Sequence, residues 1–358
     1  MSFTLQDARP LGQQGDLPLP PGYPAADERG CACLGAQRGL VDIAMPIEIG
    51  LVNNMPDAAL EATERQFLSL LLSAAGDIDV RVHFFALADV PRGRRAEQHL
   101  SLCYDDLDAL LKSRLDAVIV TGSEPTATQL SDEPYWHSLV RLFDWAEANT
   151  LSTLFSCLSA HAAVLHFDGI ERTQSPRKYS GVFDHVALID HPLTSGVPGP
   201  WPVAHSRWNG LSEEALCDAG YTILSRSTTA GVNLFVRQRQ SLLVLFQGHP
   251  EYEPDSLFRE YRRDVRRFLS GEQATYPEIP EGCLKAATKD ALLRFRKSTH
   301  GWRVEALMEK FPGVAELEEA RLARAGRGSA TLFANWLHAI ADAKLRRWGA
   351  AMAPFLLS

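Results

Sequence analysis

The sequence predicts an α/β fold: a mainly parallel sheet with helices on both faces, followed by a C-terminal helical extension. Three observations carry this expectation. Between Ile47 and Val265, short apolar runs of strand length alternate with stretches of helical period. Asn53, Gly122, Cys157 and His249 all fall at the ends of predicted strands, the edge at which parallel sheets gather reactive groups, so the four are expected to share one cleft. Past Val265 the alternation gives way to charged, loop-broken helical segments.

In chain order, residues 1–46 are rich in Pro, Gly, Asp and Gln, show no periodicity and read as a poorly ordered leader. Ile47–Val52 is a short strand ending in Asn53-Asn54-Met55-Pro56, and Leu60–Leu72 has helical spacing. Ile78–Phe84 alternates as a strand, Tyr104–Lys112 reads as helix, and Leu115–Val120 is a buried-type strand running into Thr121-Gly122-Ser123. Tyr135–Glu147 is helical. Leu151–Cys157 is the next strand and Ala160–Phe167 the helix behind it. Tyr179–Phe183 and Ser241–Phe246 are strands, and Arg262-Arg263-Asp264 lies on a helix. Residues 47–270 are expected to form one domain and 271–358 a loop and helical extension. Within that extension Phe311-Pro312-Gly313 breaks the pattern, Ala323–Gly328 reads as a flexible joint, and a last amphipathic helix starts near Thr331.

Bulk properties narrow the function classes. A net charge of −8 and a pI near 5.8 argue against a nucleic-acid partner. Six cysteines in 358 residues, mostly in unrelated contexts, suit a reducing cytoplasm better than a disulfide framework. No apolar run is long enough for a membrane helix, and no secretion signal opens the chain. Cys31-Ala32-Cys33 lacks the partners of a metal site, so no metal is expected.

The chemistry centres on Cys157. It ends an apolar strand and precedes an alanine-rich helix, the setting of a nucleophile on a strand-to-helix turn. The competing reading is a buried structural cysteine. A thiol needs a base, and 92 positions later His249 ends another apolar strand with Glu251 two residues on. A carboxylate there can fix the imidazole tautomer, which suggests a Cys-His-Glu triad. Backbone N–H groups at Leu158 and near Gly122 and Ser123 are candidates for an oxyanion hole. Arg177-Lys178 and Arg262-Arg263 supply cations, and His205-Ser206-Arg207, expected in a loop, offers a hydroxyl and a guanidinium to a carboxylate.

With these residues in view, the chain resembles the homoserine O-succinyltransferase family of the class I glutamine-amidotransferase-like superfamily, whose fold is flavodoxin-like. The likeness runs through Asn53-Asn54-Met55-Pro56, Thr63–Leu68, Val120-Thr121-Gly122, Tyr135-Trp136, Ser152–Phe155 with Cys157, Lys178–Phe183, His205-Ser206-Arg207 and Gly248–Tyr252. It resumes near Thr331–Leu337. The resemblance implies transfer of a succinyl or acetyl group from acyl-coenzyme A, as co-substrate, through a thioester on Cys157 to the hydroxyl of homoserine, toward methionine. It implies no permanently bound cofactor, small-molecule substrates only, and a homodimer. It carries substrate-binding roles to Lys178, Ser206 and Arg263, and a role in acyl-donor specificity to Thr126. The chain departs from the family pattern at Leu158 and His161, where Trp and Gln are usual, and at Asp57-Ala58, where a Lys pair is common. A glutamine amidotransferase or related cysteine hydrolase, acylation of serine, and a non-catalytic binding protein are the alternative readings.

Overall fold

The computed structural model describes residues 2–4, 45–299, 302–313 and 315–356. The rest of the leader, Cys31 and Cys33 included, lies outside these residues. In chain order the elements are β1 (Ser2–Thr4), β2 (Ile47–Val52), α1 (Leu60–Ala75), β3 (Val80–Phe85), α2 (Arg94–Cys103), α3 (Leu107–Leu110), β4 (Ala117–Val120), α4 (Trp136–Asn149), β5 (Ser152–Ser156) and α5 (Leu158–Asp168). There follow β6 (Thr173–Ala187), β7 (Trp201–Gly210), α6 (Glu213–Asp218), β8 (Thr222–Ser227), β9 (Gly231–Gln238), β10 (Leu242–Phe246), α7 (Ser256–Leu269), α8 (Ala286–Ser298) and α9 (Glu319–Leu356). Contacts divide the chain into two compact units.

The first unit comprises the described residues up to Ala163, Arg237–Val244, and those from Phe333 on. Its strands β3, β2, β4 and β5 pair in parallel, in register from Ile49↔Ala117 and Ala117↔Ser152 upward. β1 adds antiparallel to β3. Every residue of β4 and β5 is buried, which is why neither alternates buried apolar with exposed polar residues; β4 is apolar throughout, whereas β5 also buries Ser152, Thr153 and Ser156. Ser152 makes one exception to apolarity useful: its hydroxyl accepts the indole N–H of the buried Trp336 at 2.8 Å. That contact ties the last helix to β5.

The second unit comprises Val164–Val236 and Leu245–Leu332. Its strands are antiparallel, β7 to β6, β6 to β8 and β8 to β9. Helix α7 buries Leu257, Phe258, Tyr261, Val265 and Leu269 and keeps Arg259, Arg262 and Arg266 exposed. The buried stripe packs with Leu292 and Phe295 of α8 and with Phe311, so the charged stretch after Leu284 carries core as well as surface.

The α/β class and the C-terminal helix match the expectation, and the antiparallel strands add to it. Four local readings change. Helix α2 was missed because it buries only Ala96 and Cys103 and leaves Leu102 exposed, so it carries almost no apolar period. The helix read over Tyr104–Lys112 is confined to α3. Residues Ala323–Gly328 form no joint, because α9 is continuous through them. Gly328 has a packing reason to be there, since a Cβ would approach Trp201 Cδ1 to 3.2 Å. Finally, His205-Ser206-Arg207 lies on strand β7, not in a loop. Pro202 is compatible with a strand here because β7 is the terminal strand of the sheet order.

Candidate active site

In the first unit, β5 delivers Cys157 to a sharp turn before α5. Cys157 has φ +54°, and it is the one non-glycine residue in the left-handed region among those described. Such a conformation costs an L-residue about 1–2 kcal/mol and is held only where the surroundings enforce it. Two contacts enforce it here. The Ser159 hydroxyl bridges to the carbonyls of Val120, at 2.7 Å, and Ser156, at 3.0 Å. The Cys157 carbonyl accepts from the N–H of Ala160 at 3.0 Å and closes the first turn. The turn leaves Cys157 partly exposed and beside the N–H groups of the helix start, which have no intrahelical partner and favour negative charge.

Gly122, just past β4, completes this corner. A Cβ at Gly122 would sit 3.3 Å from the Leu158 nitrogen, so glycine keeps open the space that N–H faces. Ser123 and Leu158 line one cleft together with Asn54 and Trp136. Thr126 is held by a buried carboxylate: Glu133 accepts from the N–H of Thr126 at 2.6 Å, its hydroxyl at 3.0 Å and the N–H of Ala127 at 2.7 Å. Sequence reasoning missed Glu133, and its spacing from Thr126 gives no recognisable signal.

Two other thiols, Cys103 and Cys283, are buried. Burial raises the pKa of Cys103, and it pushes the Cys283 thiol up to about 12, which leaves both protonated and inert.

In the second unit, β10 ends at Phe246 and leads into Gln247-Gly248-His249. The Gly248 N–H donates to Asn233 Oδ1 at 2.9 Å and the His249 N–H to the Ala204 carbonyl at 2.8 Å. A Cβ at Gly248 would lie 2.8 Å from the Ala204 oxygen and from Asn233 Oδ1, so only glycine lets this segment dock against β7. His249 Nδ1 lies 2.8 Å from Glu251 Oε1. Ionised Glu251 only accepts, so Nδ1 carries the proton and Nε2 is the basic nitrogen. The Glu251 side chain is 4% exposed, and Tyr252 stacks on the imidazole with ring centroids 4.1 Å apart.

Three further predicted residues of this unit gather around α7. Lys178 sits where the β6–β7 register shifts, a kind of irregularity that re-aims side chains. Its Nζ meets Asp264 Oδ2 at 3.0 Å, while Arg263 grips Asp264 Oδ1 through Nε and Nη2 at 3.0 and 2.8 Å. Burial opposes ionisation of Asp264, but the two cations outweigh it and hold the carboxyl below its ordinary range. Ser206 donates to Glu260 Oε2 at 2.5 Å, and the Tyr252 hydroxyl donates to the other oxygen of the same carboxylate. Glu260, Arg263 and Asp264 stand at i, i+3 and i+4, one face of a helix, and this spacing is the signal by which Glu260 was findable.

The guanidinium read as a ligand on Arg207 is used internally. It donates to His205 Nδ1 at 3.2 Å, to the Asn209 carbonyl at 2.6 Å and to the Ala230 carbonyl. With Nδ1 of His205 accepting, its Nε2–H points to His185 Nε2, 3.2 Å away, and His185 Nδ1 donates to the Phe183 carbonyl at 2.9 Å. Burial pushes the pKa of both histidines down, that of His185 to about 4. Arg207 therefore holds strands together. No group of His, Cys, Asp and Glu able to hold a metal occurs among the described residues, and no described helix is long and apolar enough to cross a membrane.

The homoserine O-succinyltransferase family matches over residues 24–344. A homoserine O-succinyltransferase of Rhodopseudomonas palustris is 49% identical, covering 84% of this chain and 90% of its own length. One of Methylorubrum extorquens is 46% identical over 86% of this chain and 92% of its own. Among solved structures, a glutamine amido transferase from Methylobacillus flagellatus covers 82% of this chain and 94% of its own at 16% identity and a TM-score of 0.48. With Cys157 on its strained turn and His249 paired to Glu251, a family match across most of the length leaves one assignment: the chain belongs to the homoserine O-succinyltransferase family.

Proposed function

We propose that this chain transfers the succinyl group of succinyl-coenzyme A to the side-chain hydroxyl of homoserine, a step toward methionine, by way of a thioester on Cys157. The observation that carries the reading is the left-handed Cys157 at a helix start, since strain of that kind persists where chemistry uses it. His249 Nε2 takes the thiol proton, with Glu251 supporting the charge. The thiolate adds to the donor carbonyl, and the N–H groups at Leu158 and at Gly122 and Ser123 stabilise the oxyanion. The carbon–sulfur bond to coenzyme A breaks, and His249 returns the proton to the departing thiolate. Homoserine then gives its hydroxyl proton to His249 and attacks the thioester, releasing the O-succinyl product and restoring Cys157.

Lys178, Ser206 and Arg263 hold homoserine in this scheme, and Thr126 contributes to the choice of acyl donor. Asp264 keeps the two cations together, a counter-charge that lets both approach one substrate carboxylate. We assign the acyl transfer to residues 47–270, with 271–358 as an extension, and read the enzyme as a cytoplasmic homodimer with no resident cofactor.

Mass spectrometry tests the central step. Mixing with succinyl-coenzyme A should leave a succinyl adduct on Cys157 that homoserine discharges and that Cys157→Ala lacks. Ammonia release from glutamine without any such adduct would replace this reading with an amidotransferase.

A further inference from the structure

We infer that Tyr252 is a positioning residue with two separable duties. Its ring fixes the plane of the His249 imidazole, and its hydroxyl ties that base to the carboxylate that also holds Ser206. The inference rests on the reading of His249 as the base and of Ser206 as a homoserine contact, and adds how the two are kept in step.

A base that serves two half-reactions must present Nε2 in one direction. Glu251 by itself leaves that direction open. It meets His249 Nδ1 through Oε1 at 2.8 Å, and its Oε2 is buried with no hydrogen-bond partner among the described residues. One contact pins one ring atom, and the outer torsion of a histidine side chain is broad. The backbone bond from the His249 N–H to the Ala204 carbonyl, at 2.8 Å, holds the main chain and not the ring. The Tyr252 ring supplies the missing constraint. It lies against the imidazole with centroids 4.1 Å apart and planes 21° from parallel, and a face-on contact defines a plane where a hydrogen bond defines a point. An aromatic face also attracts a cation, and the imidazole becomes one each time it takes a proton, first from Cys157 and later from homoserine.

A stacked ring steers its neighbour only if it is held in turn. The Tyr252 hydroxyl donates to Glu260 Oε1, and the Ser206 hydroxyl donates to Oε2 of the same carboxylate at 2.5 Å. Both oxygens of Glu260 are thereby engaged, one toward the base and one toward the acceptor site. Ser206 stands two residues after Ala204, the β7 residue that receives the His249 N–H. His249, Tyr252, Glu260, Ser206 and the backbone of β7 thus close a ring of contacts within the second unit. Losing the hydroxyl opens that ring at Glu260 and leaves the stack in place. Losing the aromatic face opens it at the base. The two losses strike different half-reactions, because the thiol proton is taken before homoserine enters.

The test times both halves in the full-length protein. Mixing with succinyl-coenzyme A and following the mass of the Cys157 peptide gives the acylation rate. Adding homoserine to the labelled protein gives the discharge rate and the concentration at half its maximum. Tyr252→Phe keeps the ring and lacks the hydroxyl. It should label Cys157 at close to the unmodified rate but need about tenfold or more homoserine for half-maximal discharge, the scale of one hydrogen bond to a charged group. Tyr252→Leu, or Tyr252→Met should the first not fold, lacks the aromatic face and should slow labelling itself by about tenfold or more. Labelling at the unmodified rate without the ring would overturn its role at the base. A Tyr252→Phe protein that discharges normally, or that slows labelling and discharge alike, would overturn the division of duties, since a general loosening of the fold acts on both halves. No label on Cys157 in the unmodified protein would instead overturn the thioester reading beneath the inference.

Discussion

Cys157 is held at φ +54°, and removing its Cβ should release the strain stored there. The comparison that isolates this is Cys157→Gly against Cys157→Ala, because both lack the sulfur and differ only in the β-carbon. The left-handed region costs alanine about 1–2 kcal/mol. Glycine escapes that cost but loses about 0.4–1 kcal/mol through the greater freedom of its unfolded chain. The midpoints of the two ranges favour the glycine variant by about 0.8 kcal/mol. For 358 residues unfolding together, 1 kcal/mol moves a thermal midpoint by only about 1 °C, so a urea titration followed by circular dichroism is the better assay. The glycine variant should unfold at the higher urea concentration, and neither variant should take up a succinyl label. An alanine variant as stable as the glycine one would refute the claim that the turn is strained, and with it the main structural support for Cys157 as nucleophile.

Other consequences are tested more directly. Glu251→Gln keeps the shape of the His249 contact but removes the charge behind it, and kcat should fall by about 10²–10⁴-fold with the fold intact; unchanged turnover would remove the orienting role. Asp264→Asn takes away the carboxylate shared by Lys178 and Arg263. Donor-dependent labelling of Cys157 should survive that change, while KM for homoserine rises on the order of tenfold or more; equal damage to both half-reactions would contradict the substrate role. His185 is buried neutral, with its pKa lowered to about 4 from an ordinary 6.5. Between those values the unfolded chain takes up the proton and the native state does not, so stability falls as pH drops from 6.5 toward 4. Replacing His185 with Gln should flatten that part of the stability–pH curve; an unaltered slope would count against the buried neutral pair.

Some of this protein is written in its local sequence. β4 was legible because a strand buried on both faces can be apolar throughout, β2 and β5 because Ile49-Gly50-Leu51-Val52 and Leu154-Phe155 stand in short runs of strand length, and Cys157 because it follows β5 just before an alanine-rich helix. The His249–Glu251 pairing was legible too, since two residues of separation already bring a carboxylate within reach of a ring nitrogen. Helix α2 was hidden, because a helix that buries only Ala96 and Cys103 carries almost no apolar period. Strand β7 was misread for a related reason: Pro202 and the polar run His205-Ser206-Arg207 look like loop until Arg207 and His205 are seen satisfying each other and His185. What only the tertiary structure decided are the contacts between residues distant in sequence. Lys178 meets Asp264 across 86 positions, Ser152 meets Trp336 across 184, and Asn54 faces a cleft walled from α4 and α5. Composition and period record what one segment prefers, whereas these pairings depend on which segments the folded chain brings within hydrogen-bond distance.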